Sequence, residues 1–200
     1  MSIAVIAGLG NPGSRYAATR HNIGFIVADA LANRWAAAWK REPACDALRA
    51  NAVDRPILLK PQGFMNTSGE VIAAFARYYQ IPAESILVIY DDITLEPARL
   101  RLTRQGSDGG HNGIADLLRH LGDGFARFRI GIGSKPHPAM DLKDHVLGRF
   151  TPDEQSLHQQ ALPHYLSGLE HVVEHGVDKA MNFINRRNKP TSDEPNNQPT

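Results

Sequence analysis

Cysteine is almost absent. The single thiol, Cys45, has no partner for an intramolecular disulfide and excludes any multi-cysteine zinc or iron–sulfur site. Long apolar runs are missing too, and no stretch approaches the ~20 residues that a membrane-spanning helix needs. Met1 to Gly8 carries no positive leader and meets a glycine turn at once, so a cytoplasmic chain with no membrane partner is expected. Neither sign of charge dominates, with 22 Lys and Arg against 21 Asp and Glu. That balance excludes a uniformly basic nucleic-acid coat and an acidic tail protein. His-Glu-x-x-His and Gly-x-Ser-x-Gly are both absent, which leaves a metalloprotease centre or a serine elbow without support.

What is there reads as one globular domain. The chain has 200 residues, 42% of them hydrophobic, which suffices for a single core and excludes a fully disordered or fibrous chain. Residues 3–7 (Ile-Ala-Val-Ile-Ala) form a buried strand that runs into Gly8-Leu-Gly-Asn-Pro-Gly13. From Asn22 to Trp39, apolar residues at spacings of three and four predict a helix. Residues 47–60 suggest a hairpin turning at Asp54-Arg-Pro56. Thr67-Ser-Gly-Glu70 reads as a capping box for a helix running to about Tyr79.

Ile86-Leu-Val-Ile-Tyr90 has the unbroken apolar character of a central strand, and two carboxylates, Asp91 and Asp92, end it. Residues 99–103 alternate like a half-exposed strand, and a glycine-rich loop (106–113) leads to a helix near 113–121. A further strand covers 127–133, an irregular loop 134–145, and helices about 152–175 and 178–186. Alternating strands and helices predict a single-domain, three-layer α/β fold over residues 1–187, a twisted mixed sheet flanked by helices. Residues 188–200 read as a disordered tail.

Three signals are weaker than they look. Gly8-x-Gly10-x-x-Gly13 satisfies the dinucleotide fingerprint, and an oxidoreductase is one alternative it raises. Yet Pro12 interrupts the loop, the segment Arg15 to His21 separates it from the helix, and Asp29 falls inside that helix. His171-Val-Val-Glu-His175 matches an inverted zinc-protease motif without a convincing third ligand, so a solvated helix face is expected. Cys45 has no basic neighbour and reads as a passive thiol.

The stronger signal is a set of polar residues at element ends: Asn11, His21, Asn22, Phe64-Met-Asn66, Asp91 and His111-Asn112. In an α/β sheet, loops beyond the carboxyl ends of the strands converge on one crevice. A histidine with a strand-end aspartate is a minimal general-base pair, and asparagine amides can hold a carbonyl or its oxyanion. Attack by water on an activated carbonyl is the economical mechanism for that set.

These motifs resemble bacterial peptidyl-tRNA hydrolase. Gly8-Leu-Gly-Asn-Pro-Gly13, Thr19-Arg-His-Asn22, Phe64-Met-Asn66, Asp91, Gly109-Gly-His-Asn-Gly113 and Arg129-Ile-Gly-Ile-Gly133 occur in the family's order over about residues 3–150. The resemblance implies a monomeric, cofactor-independent and metal-free enzyme that cleaves the ester between peptide and tRNA, with no obligate protein partner. It makes His21 the base that activates water and Asp91 the group that orients it. Asn11 and Asn66 would hold the peptide end, and Asn112 the water or peptide backbone. Tyr16 and Phe64 would border the tRNA 3′ end, His111 would line the crevice, and Arg129 would meet acceptor-stem phosphate. Two positions depart from the family's pattern, Thr94 where a second acid is common and Thr103 where a lysine often stands. Arg104 is adjacent to the latter but points to the opposite face of a strand.

Charge distribution fits such a partner better than the total does. Residues 1–60 and 99–149 each carry +4, against −4 for 61–98 and −3 for 150–200. A modest basic patch predicts salt-sensitive binding to tRNA phosphate. A non-catalytic RNA-binding module is the other alternative to an esterase.

Overall fold

The computed structural model describes residues 2–186, so the tail expected at 188–200 lies outside the described residues. The first apolar run forms β1 (Val5–Gly8), which pairs in parallel with β4 (Ile57–Pro61) and β5 (Ile86–Asp92). β7 (Ala126–Gly131) extends the parallel centre beside β5. Antiparallel strands flank it: β2 (Trp39–Arg41) and β3 (Ala47–Ala50) at one edge, β6 (Leu100–Thr103) at the other. The order across the seven-stranded sheet is β2-β3-β4-β1-β5-β7-β6. Every residue of β5 is buried, because a central parallel strand is covered on both faces.

Helices cover both sides. α1 (Ile23–Arg34), α5 (Pro152–His175) and α6 (Val177–Ile184) pack on one face through Val27, Leu31, Tyr165, Leu169 and Ala180. α2 (Ser68–Tyr78) and α3 (Asn112–Leu121) pack on the other through Ile72, Phe75, Ile114 and Leu117. The three-layer α/β architecture therefore stands as expected.

Three local expectations are corrected. α1 stops at Arg34 instead of reaching Trp39, because Ala36 takes a left-handed φ of 52°. Trp39 opens β2, and its ring receives the Lys60 ammonium at 4.4 Å. The capping box at Thr67 does not form, since Thr67 lies in a 3-10 turn (Met65–Thr67) and its hydroxyl donates to the Phe64 carbonyl. A side chain from another helix takes over: Asp116 of α3 accepts from the Glu70 amide at 3.0 Å. Gly69 permits that approach, because a Cβ there would lie 2.3 Å from the Asp116 carbonyl. Finally, the loop expected over 134–145 turns helical at its end, in α4 (Leu142–Leu147), where the Asp141 carboxylate caps the Lys143 amide.

Candidate active site

Strand order runs outward in opposite directions from β1 and β5, so the loops at their carboxyl ends diverge and leave a crevice. Gly8 and Gly10 serve close packing at its floor. A Cβ on Gly8 would lie 2.4 Å from the Gly24 carbonyl, and one on Gly10 2.6 Å from the Phe25 ring. The glycines thus admit α1 against the loop, which removes the structural basis of the dinucleotide reading.

Asn22 closes the same loop. Its Oδ1 accepts from the Asn11 amide and its Nδ2 donates to the Asn11 carbonyl, each at 2.9 Å. The side chain of Asn11 then reaches across to accept from the Met65 amide at 2.7 Å. That bond engages Oδ1, so Nδ2 is the group Asn11 has left to donate into the crevice.

His21 stands on the 3-10 turn Arg20–Asn22 beside the end of β5. Its Nδ1 is 2.9 and 3.0 Å from the two carboxylate oxygens of Asp91. An acceptor-only carboxylate requires the proton on Nδ1, which makes Nε2 the ring's lone-pair nitrogen. His111 approaches the same oxygen of Asp91, with Nε2 at 3.1 Å from Oδ1. Its Nδ1 accepts from the Ile114 amide at 3.2 Å as the cap of α3, so its proton also points at Asp91. Asp91 is buried, and burial alone would raise its pKa. The adjacent His21 and His111 imidazoles overcome that and hold the carboxyl well below the usual carboxylate range.

His21, Asp91 and His111 are also the group among the described residues whose atoms could ligate a metal, all lying within 4.8 Å of one another. A cation there would need both ring nitrogens facing Asp91 deprotonated, against the tautomer that the Ile114 amide imposes on His111. His171 stacks instead on Phe183, ring centroids 4.4 Å apart, as part of the α5–α6 packing.

The pair opens on a cavity of ≈ 910 Å³ that all nine sequence-predicted site residues line. Asn66 and Asn112 are exposed in it. Tyr16 and Phe64 meet edge to face, centroids 6.4 Å apart, with Phe64 54% exposed. Arg129 faces the cavity with its Nε donating to Asp92 at 2.5 Å. Arg104 turns away, bonded twice to Asp178 of α6. Asp92 also accepts from the amide and hydroxyl of Thr94, giving that position a loop-shaping task.

Sequence reasoning assigned no role to Asn22 or Arg127. Arg127 is buried, donates to the Gly106 and Ser107 carbonyls and pairs with Asp123, so it straps the glycine loop to the sheet. Its alternation with Arg129 around Phe128 puts both arginines on the cavity face of β7, but alternation does not tell which of them is tied to the glycine loop. Cys45 lies outside the site; burial, with Glu42 and Asp46 nearby, pushes its thiol up to about 11, which suits a passive thiol.

The profile of the family described as "Peptidyl-tRNA hydrolase" matches residues 5–192. A protein of that name from Gloeobacter violaceus is 42% identical over 191 residues, covering 94% of this chain and 96% of the relative. One from Chloroflexus aggregans is 44% identical over 185 residues, covering 90% and 98%. The crystal structure of peptidyl-tRNA hydrolase from Acinetobacter baumannii superposes with a TM-score of 0.85 at 40% identity, covering 92% of this chain and 94% of that one. The chain belongs to the peptidyl-tRNA hydrolase family.

Proposed function

We propose that this cavity hydrolyses the ester linking a peptide to the 3′ end of tRNA, releasing peptide and tRNA for reuse. The observation that carries the reading is the His21–Asp91 contact, 2.9 Å long, at the floor of a cavity lined by asparagine amides. Asp91 keeps the proton of His21 on Nδ1, so Nε2 can take one from water. The resulting hydroxide attacks the ester carbonyl, and Asn11 Nδ2 donates to the oxygen that gains charge. As the C–O bond breaks, His21 returns its proton to the departing 3′ oxygen of tRNA.

Asn66 holds the peptide end with Asn11, and Asn112 places the water or the peptide backbone. Tyr16 and Phe64 receive the terminal base of the tRNA, where an edge-to-face pair with an exposed ring offers a stacking surface. His111 supports Asp91 beside His21, on the same carboxylate oxygen. Arg129, held by Asp92, meets phosphate of the acceptor stem. In the same reading the chain acts in the cytoplasm as a monomer, with no cofactor.

Purified protein incubated at low salt with an N-acylated aminoacyl-tRNA tests this. The expected result is release of deacylated tRNA without added cofactor, with KM rising as salt is added. Tight tRNA binding with no ester cleavage would contradict it.

A further inference from the structure

The turn that carries His21 is held from a distance. Arg20, the residue before it, sends Nη2 2.7 Å to Glu154 Oε2 in the first turn of α5. Nη1 of the same side chain donates to the His145 carbonyl at the end of α4, at 3.3 Å. The Arg20 amide donates to the Gly148 carbonyl, and Thr19 bridges Arg149. Gly148 packs closely here: a Cβ would lie 2.9 Å from Arg20 Nη1 and 3.0 Å from the Asp144 carbonyl. The guanidinium also lies over the Phe150 ring, 5.7 Å from its centroid.

Glu154 serves two partners with one oxygen. Oε2 accepts from Arg20 and, at 2.7 Å, from the amide of Thr151, completing a capping box with the Thr151 hydroxyl. Both ends of the Arg20–Glu154 pair are largely shielded, with side chains 11% and 23% exposed. Shielding weakens solvent screening, and two donors fix the carboxylate in one orientation. The pair therefore joins the His21 turn and the end of α4, which both line the cavity, to the start of α5, which lies outside it.

We infer that Arg20 and Glu154 are positioning residues for the hydrolysis, acting together as a strut that sets where the His21 turn stands against Asp91. The inference rests on the reaction proposed above. Neither side chain lines the cavity, so each acts through His21 and not on substrate. A general base works only within hydrogen-bond reach of its water, and ~1 Å of misplacement can cost about a hundredfold in rate. A purely structural role predicts something different, that loosening the start of α5 by any means has the same effect.

Three variants separate these. Glu154→Gln keeps the shape of the side chain and removes its charge, and Arg20→Lys keeps the charge and removes the fork. Thr151→Ala weakens the α5 cap while leaving the Arg20–Glu154 pair in place. Turnover of an N-acylated aminoacyl-tRNA is measured for each, together with thermal melting and the 15N–1H imidazole resonances of His21. The expected result is a kcat lowered about tenfold in Glu154→Gln and Arg20→Lys at nearly unchanged KM, with a shifted His21 resonance. The double variant should be no slower than the slower single one, because the two residues form one strut. Thr151→Ala should melt earlier with kcat and resonance unchanged. Wild-type kcat and resonance in Glu154→Gln, or an equal kcat loss in Thr151→Ala, would overturn the inference. Inactive wild-type protein would instead reject the proposed reaction, and the resonance would still report on the strut.

Discussion

The imidazoles of His21 and His111 converge on a single oxygen of Asp91, at 2.9 and 3.1 Å, with their ring centroids 4.8 Å apart. One buried carboxylate thus accepts hydrogen bonds from two rings, and each ring's orientation is fixed by a different part of the chain. His21 is set by the 3-10 turn before α1, and His111 by the cap it provides to α3.

Asp91 should remain ionised throughout the working range. Burial opposes this, but the two imidazoles lower its pKa, so its share of stability is full above the ordinary carboxylate value and is lost only as pH falls below it. Asp91→Asn should therefore lower kcat by about 10²–10⁴-fold, with no recovery at any pH between about 5 and 9. A pH profile of kcat for the variant checks this, and a loss of less than tenfold would contradict it.

His111 carries two separable tasks. His111→Ala removes the cap on the Ile114 amide and the donor to Asp91, so it should cost about 1–2 kcal/mol in stability and also lower activity. His111→Asn supplies a good cap but a shorter reach, and should recover most of the stability without recovering the activity. Urea melts beside turnover measurements separate the two. Parallel recovery of both quantities would count against the assignment.

His158, one turn after Glu154 in α5, is buried and bonded to the Tyr165 hydroxyl at 2.9 Å. Burial pushes its pKa down to about 4; the Glu154 carboxylate opposes that less strongly, and the Arg20 guanidinium adds to it. A lowered histidine pKa means that the unfolded chain takes up the proton first. Its contribution is full above about 6.5 and falls as pH drops from there to about 4, by something of order 1–3 kcal/mol. Denaturation between pH 7 and 4 should show this loss, and His158→Gln should flatten the slope. An unchanged slope in the variant would contradict it.

Much of the layered fold was legible because its signals are local. The all-apolar run of β5, the alternation of β6 and the three-and-four spacing that led into α1 each follow from the way those elements are buried. The site was legible as a set of polar residues at strand ends. Their contacts were not: the His111–Asp91 bond spans 20 residues and the His21–Asp91 bond 70.

Errors came where a local rule met a tertiary competitor. Thr67-Ser-Gly-Glu70 has the letters of a capping box, but the Asp116 carboxylate takes the Glu70 amide from across the α2–α3 contact. Thr151-Pro-Asp-Glu154, with the same letters, does form the box, because nothing competes for the Thr151 hydroxyl. Trp35 and Trp39 have helical spacing, yet the left-handed Ala36 between them turns the chain into β2. The pairing of Arg129 with Asp92 is a further contact that no spacing rule encodes, and it leaves Arg129 on the cavity wall.

The most direct test of the account is turnover of peptidyl-tRNA by His21→Ala, with circular dichroism to confirm the fold. The account predicts a folded protein that still binds tRNA and whose kcat is at least about 10³-fold below wild type. A folded variant that cleaves the ester within tenfold of the wild-type rate would contradict it.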